Sequence, residues 1–121
     1  MAVSSKDRDI LRGLARRVAE IGNDPIQQER AELWRNHNDL GRGRPLVLIF
    51  PENAWSEMLP GEDLVTSGSP ARGWENDLRQ RLYRWEHMQD DNVIEPVMPC
   101  WTAFNDSGWG VEEHQTHSGH G

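Results

Sequence analysis

A few side chains in this sequence are of types and in places that can do chemistry. Glu52 and Asn53 follow directly on the apolar run 46–50 (LVLIF). At the end of a strand a carboxylate can act as acid, base or hydrogen-bond acceptor. The same pair can equally cap the short helix that is expected next. Glu95 lies inside a second apolar stretch, 92–97 (NVIEPV). A carboxylate buried there must be paired or protonated, so Glu95 is either a pocket residue or the partner of an arginine. Trp55, Trp101 and Trp109 fall in loops beside the expected strand ends, where aromatic walls of a ligand pocket are common. Trp74 and Trp85 fall on a helical stripe and read as core. Glu52, Asn53, Trp55, Glu95 and Trp101 are therefore the candidates for substrate binding, and no residue is singled out as catalytic.

Two other features read more simply. Cys100, between Pro99 and Trp101, has the chemistry of a nucleophile, but no His–Asp arrangement stands near it, and a buried inert cysteine is the commoner case. A single cysteine excludes an intramolecular disulfide and fits a reducing compartment. His114, His117 and His120 recur every third residue, a spacing that can hold a transition metal when ordered. In a Gly/Ser-flanked tail such spacing is more often incidental, and no metal site is expected.

The elements that must position these residues follow from periodicity. Ile10, Leu14 and Val18, with Leu11 and Ile21 beside them, predict a helix over 7–21, capped by Ser5 or Asp7 and stopped by Gly22 and Asn23. Asp24, Pro25 and Gln27 form a capping-box-like start to a second helix running to about His37, with Ile26, Leu33 and Trp34 on its buried side. The breaker-rich stretch 41–45 (GRGRP) is a turn. The run 46–50, bounded by Pro45 and Pro51, predicts a strand buried on both faces. A short helix through Leu59 and a loop over 60–70 come next. A third long helix over 71–88 carries a Trp74, Leu78, Leu82, Trp85 stripe, with Arg79, Arg81, Arg84 and Glu86 facing outward. The stretch 92–97 predicts a second strand ending at Pro96, and 109–112 one more short strand. The resulting expectation is α/β: N-terminal helices over 1–45, a strand–helix–strand unit within 46–113, and a disordered tail over 114–121. Two parallel strands do not make a stable sheet unaided, so this unit is expected to share a sheet with further polypeptide.

Composition sets outer limits. The 121 residues are 36% hydrophobic and 27% charged, with a mean hydropathy of −0.81 and a formal charge of −7. Residues 1–45 hold nine Lys/Arg against seven Asp/Glu, whereas 46–121 hold four against thirteen. An acidic body disfavours nucleic acid, whose binding rests on neutralising phosphates. The longest apolar run is far too short for a membrane span. The N-terminus lacks the apolar core of a signal peptide, so a cytoplasmic location is expected.

Four segments carry a resemblance to a known family: RDILRGLARRVAEIGNDPIQQERAELWRNHNDL, RPLVLIFPENAWSEMLP, RGWENDLRQRLYRWEHMQDDNVIEPV and DSGWGVEE. Over about 8–113 the chain resembles the N-terminal part of the uroporphyrinogen decarboxylase superfamily, nearest its decarboxylase-like and corrinoid methyltransferase-like members. The resemblance implies an incomplete (β/α)₈ TIM-type barrel, with 46–50 and 92–97 similar to its first two strands and the active site at their C-terminal ends. It implies that the chain supplies part of a pocket wall, inactive alone, for a tetrapyrrole-like, corrinoid-linked or small methylated substrate. Corrinoid or zinc would belong to the rest of such an enzyme, not to this chain. The arginine-rich loop that grips propionates in true uroporphyrinogen decarboxylases is replaced here by 51–55 (PENAW), and no aspartate matches near Glu95. The partner is then the remainder of the barrel. The alternative is a stand-alone oligomeric module without catalysis, its open edges covered by a second copy of the chain.

Overall fold

The computed structural model describes residues 3–99 and Gly110. Four α-helices follow in order: α1 (Ser5–Gly22), α2 (Pro25–Asn38), α3 (Trp55–Met58) and α4 (Ser69–His87). Single 3₁₀ turns at Glu52–Ala54 and Gly61–Asp63 precede the two later helices.

The start of α1 is fixed by Ser4, whose hydroxyl accepts the Asp7 N–H at 3.1 Å. The cap therefore lies just before the helix, and Asp7 is free to turn elsewhere. Its stripe of Leu11, Leu14, Val18 and Ile21 faces α4, and the core is Val18, Leu78, Leu82 and Ile94. Full burial of one such side chain contributes about 1.5–3 kcal/mol. At the end of α1 a Cβ on Gly22 would stand 2.6 Å from the Pro96 nitrogen. Glycine there permits the later segment to cross the helix terminus.

The second helix begins as its sequence predicts, with the Asp24 carboxylate accepting the Ile26 N–H at 3.0 Å and Pro25 in the first turn. Gln27 does not complete a capping box. It is buried, and its Oε1 accepts the Ile94 N–H at 2.8 Å. Trp34 Nε1 donates to the Asp91 carbonyl at 2.8 Å, and Arg30 donates to the Asn92 carbonyl at 2.9 Å. One face of α2 thus holds the backbone of 91–94 through side chains.

This arrangement overturns the α/β expectation. Among the described residues there is no strand and no sheet, so neither a strand–helix–strand unit nor the opening of a (β/α)₈ barrel is present. The stretches 46–50 and 92–97 follow neither helix nor ladder. Only one backbone bond joins the first of them to its neighbour, from Asp91 N–H to the Val47 carbonyl at 2.8 Å. Where a second strand would offer carbonyls, the chain offers aspartates: Asp91 Oδ2 accepts the Val47 N–H at 2.9 Å, and Asp90 Oδ2 accepts the Ile49 N–H at 3.1 Å.

The arginines expected on the outer face of α4 are recruited in the same way. Arg84 donates to the Ile49 carbonyl at 2.8 Å, and Arg81 donates to the Val97 carbonyl at 2.6 Å. Arg79 bonds the buried Glu75. Backbone groups need partners, whatever the source, and here side chains supply them. The run 46–50, expected to be buried on both faces, is open instead: Val47 is 54%, Leu48 37%, Ile49 40% and Phe50 69% exposed.

Candidate functional site

The candidate residues read from the sequence do not converge. Glu52 and Asn53 are exposed in the 3₁₀ turn that follows 46–50, and Glu52 adopts a left-handed backbone with φ +49°. That conformation is uncommon for a residue with a Cβ. It redirects the chain from the extended run into α3. Asn53 contributes its carbonyl, which accepts the Ser56 hydroxyl at 2.8 Å. Trp55 is half-buried, edge-on to Tyr83 with ring centroids 5.8 Å apart, and the Arg84 guanidinium lies 5.5 Å from its ring centre. These contacts give Trp55 a packing role at the foot of α3.

Glu95 is exposed, not buried as its apolar neighbours suggest. It lines a depression of about 360 Å³ with Arg81, Arg84, Asn92 and Val97, to which Glu52, Asn53 and Trp55 contribute nothing. Both arginines there are already bonded to backbone carbonyls. Trp101, Cys100, Trp109, the expected strand at 109–112 and the histidines of the tail lie outside the described residues. Among the described residues no three His, Cys, Asp or Glu side chains are grouped as metal ligands. No helix among them is long and apolar enough to cross a membrane.

The carboxylates that the structure does organise were not legible as site residues. Asp91 receives Arg44 Nη1 at 2.9 Å and a second bond from Arg44 Nη2, together with the Val47 N–H. The Arg44 guanidinium first, then the Val47 amide, hold its carboxyl down at about 2. Glu75 is fully buried on α4. Burial pushes its carboxyl up, but the Thr66 amide and hydroxyl, the Val65 amide and Arg79 outweigh that and hold it at about 2. Asp7, buried on α1, accepts the Ser67 hydroxyl at 2.8 Å and the Ser67 N–H at 3.2 Å. Each carboxylate is fully ionised at neutral pH and saturated with donors. None has the pKa of a group poised to exchange protons near neutrality. The available signal was the pair Asp90-Asp91 directly before an apolar extended stretch, which reads on its own as a solvated turn.

An apolar groove of about 310 Å³ opens between α1 and α4, with Leu11, Trp74, Leu78 and Met98 on its walls and Arg8 and Arg12 among its lining. It has no convergent polar groups from buried side chains. The feature least explained by packing is the exposed run 46–50. Its inner edge is satisfied at Val47 and Ile49. Among the described residues, the N–H and C=O groups of Leu46, Leu48 and Phe50 have no partner.

Comparison with family models, with curated proteins and with solved structures finds no match for this chain.

Proposed function

We propose that this chain works by association: it is a helical module that presents the extended apolar segment 46–50 to a protein partner. One observation carries the reading. A contiguous uncharged segment, more than a third exposed at each of Val47, Leu48, Ile49 and Phe50, is held among the described residues from one side, at Val47 and Ile49. Soluble proteins normally cover or blunt such an edge, because it is a template for pairing with another chain. The arginine and aspartate ties prepare the segment for docking, which lowers the ordering cost of binding. The test is the sedimentation of the full chain over a wide concentration range, alone and with a synthetic LVLIF-containing peptide. A chain that stays monomeric and ignores the peptide sinks the reading.

A second reading takes the partner to be the remainder of a uroporphyrinogen decarboxylase-like or corrinoid methyltransferase-like enzyme. The resemblance over about 8–113 favours it, because one of the four segments that carry it, RPLVLIFPENAWSEMLP, contains the open run. The chemistry, the small-molecule substrate and any corrinoid or zinc would then lie with the partner. Glu52, Asn53, Trp55, Glu95 and Trp101 would contribute at most a wall. Co-expression with the later portion of such an enzyme is the test: stable co-purification with gain of activity supports this reading, and failure to associate removes it.

A further inference from the structure

We infer that the groove between α1 and α4 binds a hydrocarbon carboxylate, with a single alkyl chain on the apolar floor and its head at Arg8 and Arg12. The inference stands apart from the association reading, because no residue of 46–50 lines this groove.

The floor is Leu11, Leu78 and Met98, and Leu78 belongs to the core. Trp74 forms a wall and stays 42% exposed although it lies on the apolar stripe of α4. Hydrocarbon is left open to water here, and covering it is favourable. The volume, about 310 Å³, is at the small end of ligand clefts, about 300–1,000 Å³. It suits one short chain and not a two-chain lipid.

The polar side-chain atoms of the lining residues select the head. They are the guanidinium groups of Arg8 and Arg12 and the indole N–H of Trp74, which only donate; the Met98 sulfur is at most a weak acceptor. A peptide backbone brings N–H and C=O groups together, and its donors would find no side chain here to accept them. A carboxylate brings acceptors alone. Arg8 and Arg12 are one turn apart on α1, so they share a face. Among the described residues neither makes an ion pair, whereas Arg17, Arg44, Arg79, Arg81 and Arg84 all do. No acidic residue lines the groove, and the buried acids of the same two helices are bonded elsewhere: Asp7 to Ser67, Glu75 to Thr66 and Arg79. Two like charges at this spacing repel. A carboxylate between them removes the repulsion and accepts charge-assisted bonds from both, while the arginine stems extend the apolar wall.

The test is titration of the full chain with decanoate, below the concentration at which it forms micelles, read by calorimetry and by the methyl resonances of Leu11 and Leu78. One decanoate per chain is expected, bound more tightly than decanol and far more tightly than decyltrimethylammonium. Non-specific attraction to a chain of formal charge −7 would favour the cation instead. Arg8→Gln and Arg12→Gln should each weaken decanoate about tenfold and leave decanol unchanged. Ala15→Phe puts a ring into the groove from an exposed position of α1. It should abolish binding with the helical circular dichroism kept, and if it does not fold the two arginine variants decide alone. Decanol bound as tightly as decanoate would show apolar cover without recognition of the head, and would overturn the inference. Decanoate affinity untouched by the arginine variants would put the site elsewhere and overturn it too. Absence of saturable binding, as when protein covers the groove, would end it. None of these outcomes alters the sedimentation test of 46–50.

Discussion

Two non-helical stretches, 64–67 and 46–50, are each tied to helices by carboxylates and arginines, yet they end in opposite conditions. In 64–67 the Val65 and Thr66 amides go to Glu75, the Ser67 amide goes to Asp7, and Arg72 donates to the carbonyls of Leu64 and Thr66. Thr66 is buried as a result. In 46–50 the same chemistry, with Asp90, Asp91 and Arg84, reaches only alternate residues. The lesson is one of coverage. In 64–67 three consecutive amides are taken by carboxylates from two helices, whereas in 46–50 one side of an apolar run is held and alternate amides are left without a partner among the described residues.

The comparison can be broken most severely at Glu75. Glu75→Ala leaves the donors of Val65 and Thr66 without an acceptor in a buried place, and should cost about 3 kcal/mol in chemical denaturation. A loss under about 1 kcal/mol would mean that 64–67 is not closed by this carboxylate.

Acid should act on both regions together. Glu75 and Asp91 each titrate at about 2 in the folded chain, below their ordinary values of 4.5 and 3.8. Their contribution is therefore complete above about pH 4.5 and is lost as pH falls through about 2. Melting temperature followed from pH 6 to pH 2 should fall across that window. A flat profile would contradict the two clasps.

Asp91→Ala should be milder than Glu75→Ala, about 1–2 kcal/mol, because Arg44 and the Val47 amide regain water at a more open site. Its sharper signature is local: faster amide exchange at Val47 with that at Thr66 unchanged. The smallest effect is expected for Trp34→Phe, which removes only the indole bond to the Asp91 carbonyl, about 1 kcal/mol. If it equals Asp91→Ala, then α2 and not Asp91 is what positions 46–50.

The helices were legible because their signals are local. Asp24 and Pro25 act within one turn, and the apolar stripes repeat along a single element, although α1 is capped by Ser4 and not by Ser5 or Asp7, and Trp74 and Trp85, expected in the core, are 42% and 36% exposed. The candidate site was much less legible. Glu52 and Asn53 were found at the end of the apolar run as expected, but neither Trp55 nor Glu95 joins them in one pocket. Glu75, Asp90 and Asp91 escaped notice because an acidic residue in a helix or turn looks solvated until its distant partners are known. Asp7 meets Ser67 and Arg44 meets Asp91 across wide separations in sequence, and no spacing rule reaches that far.

What the sequence determined by itself is near where the helices start and stop, and that 46–50 is apolar and bracketed by prolines. Only the tertiary structure decided what that segment becomes. An apolar run between prolines pairs in a sheet if neighbouring backbone is offered to it. Here α4 and the Asp90-Asp91 turn offer carboxylates and guanidinium groups instead, which satisfy Val47 and Ile49 and leave the alternate residues without a backbone partner among the described residues.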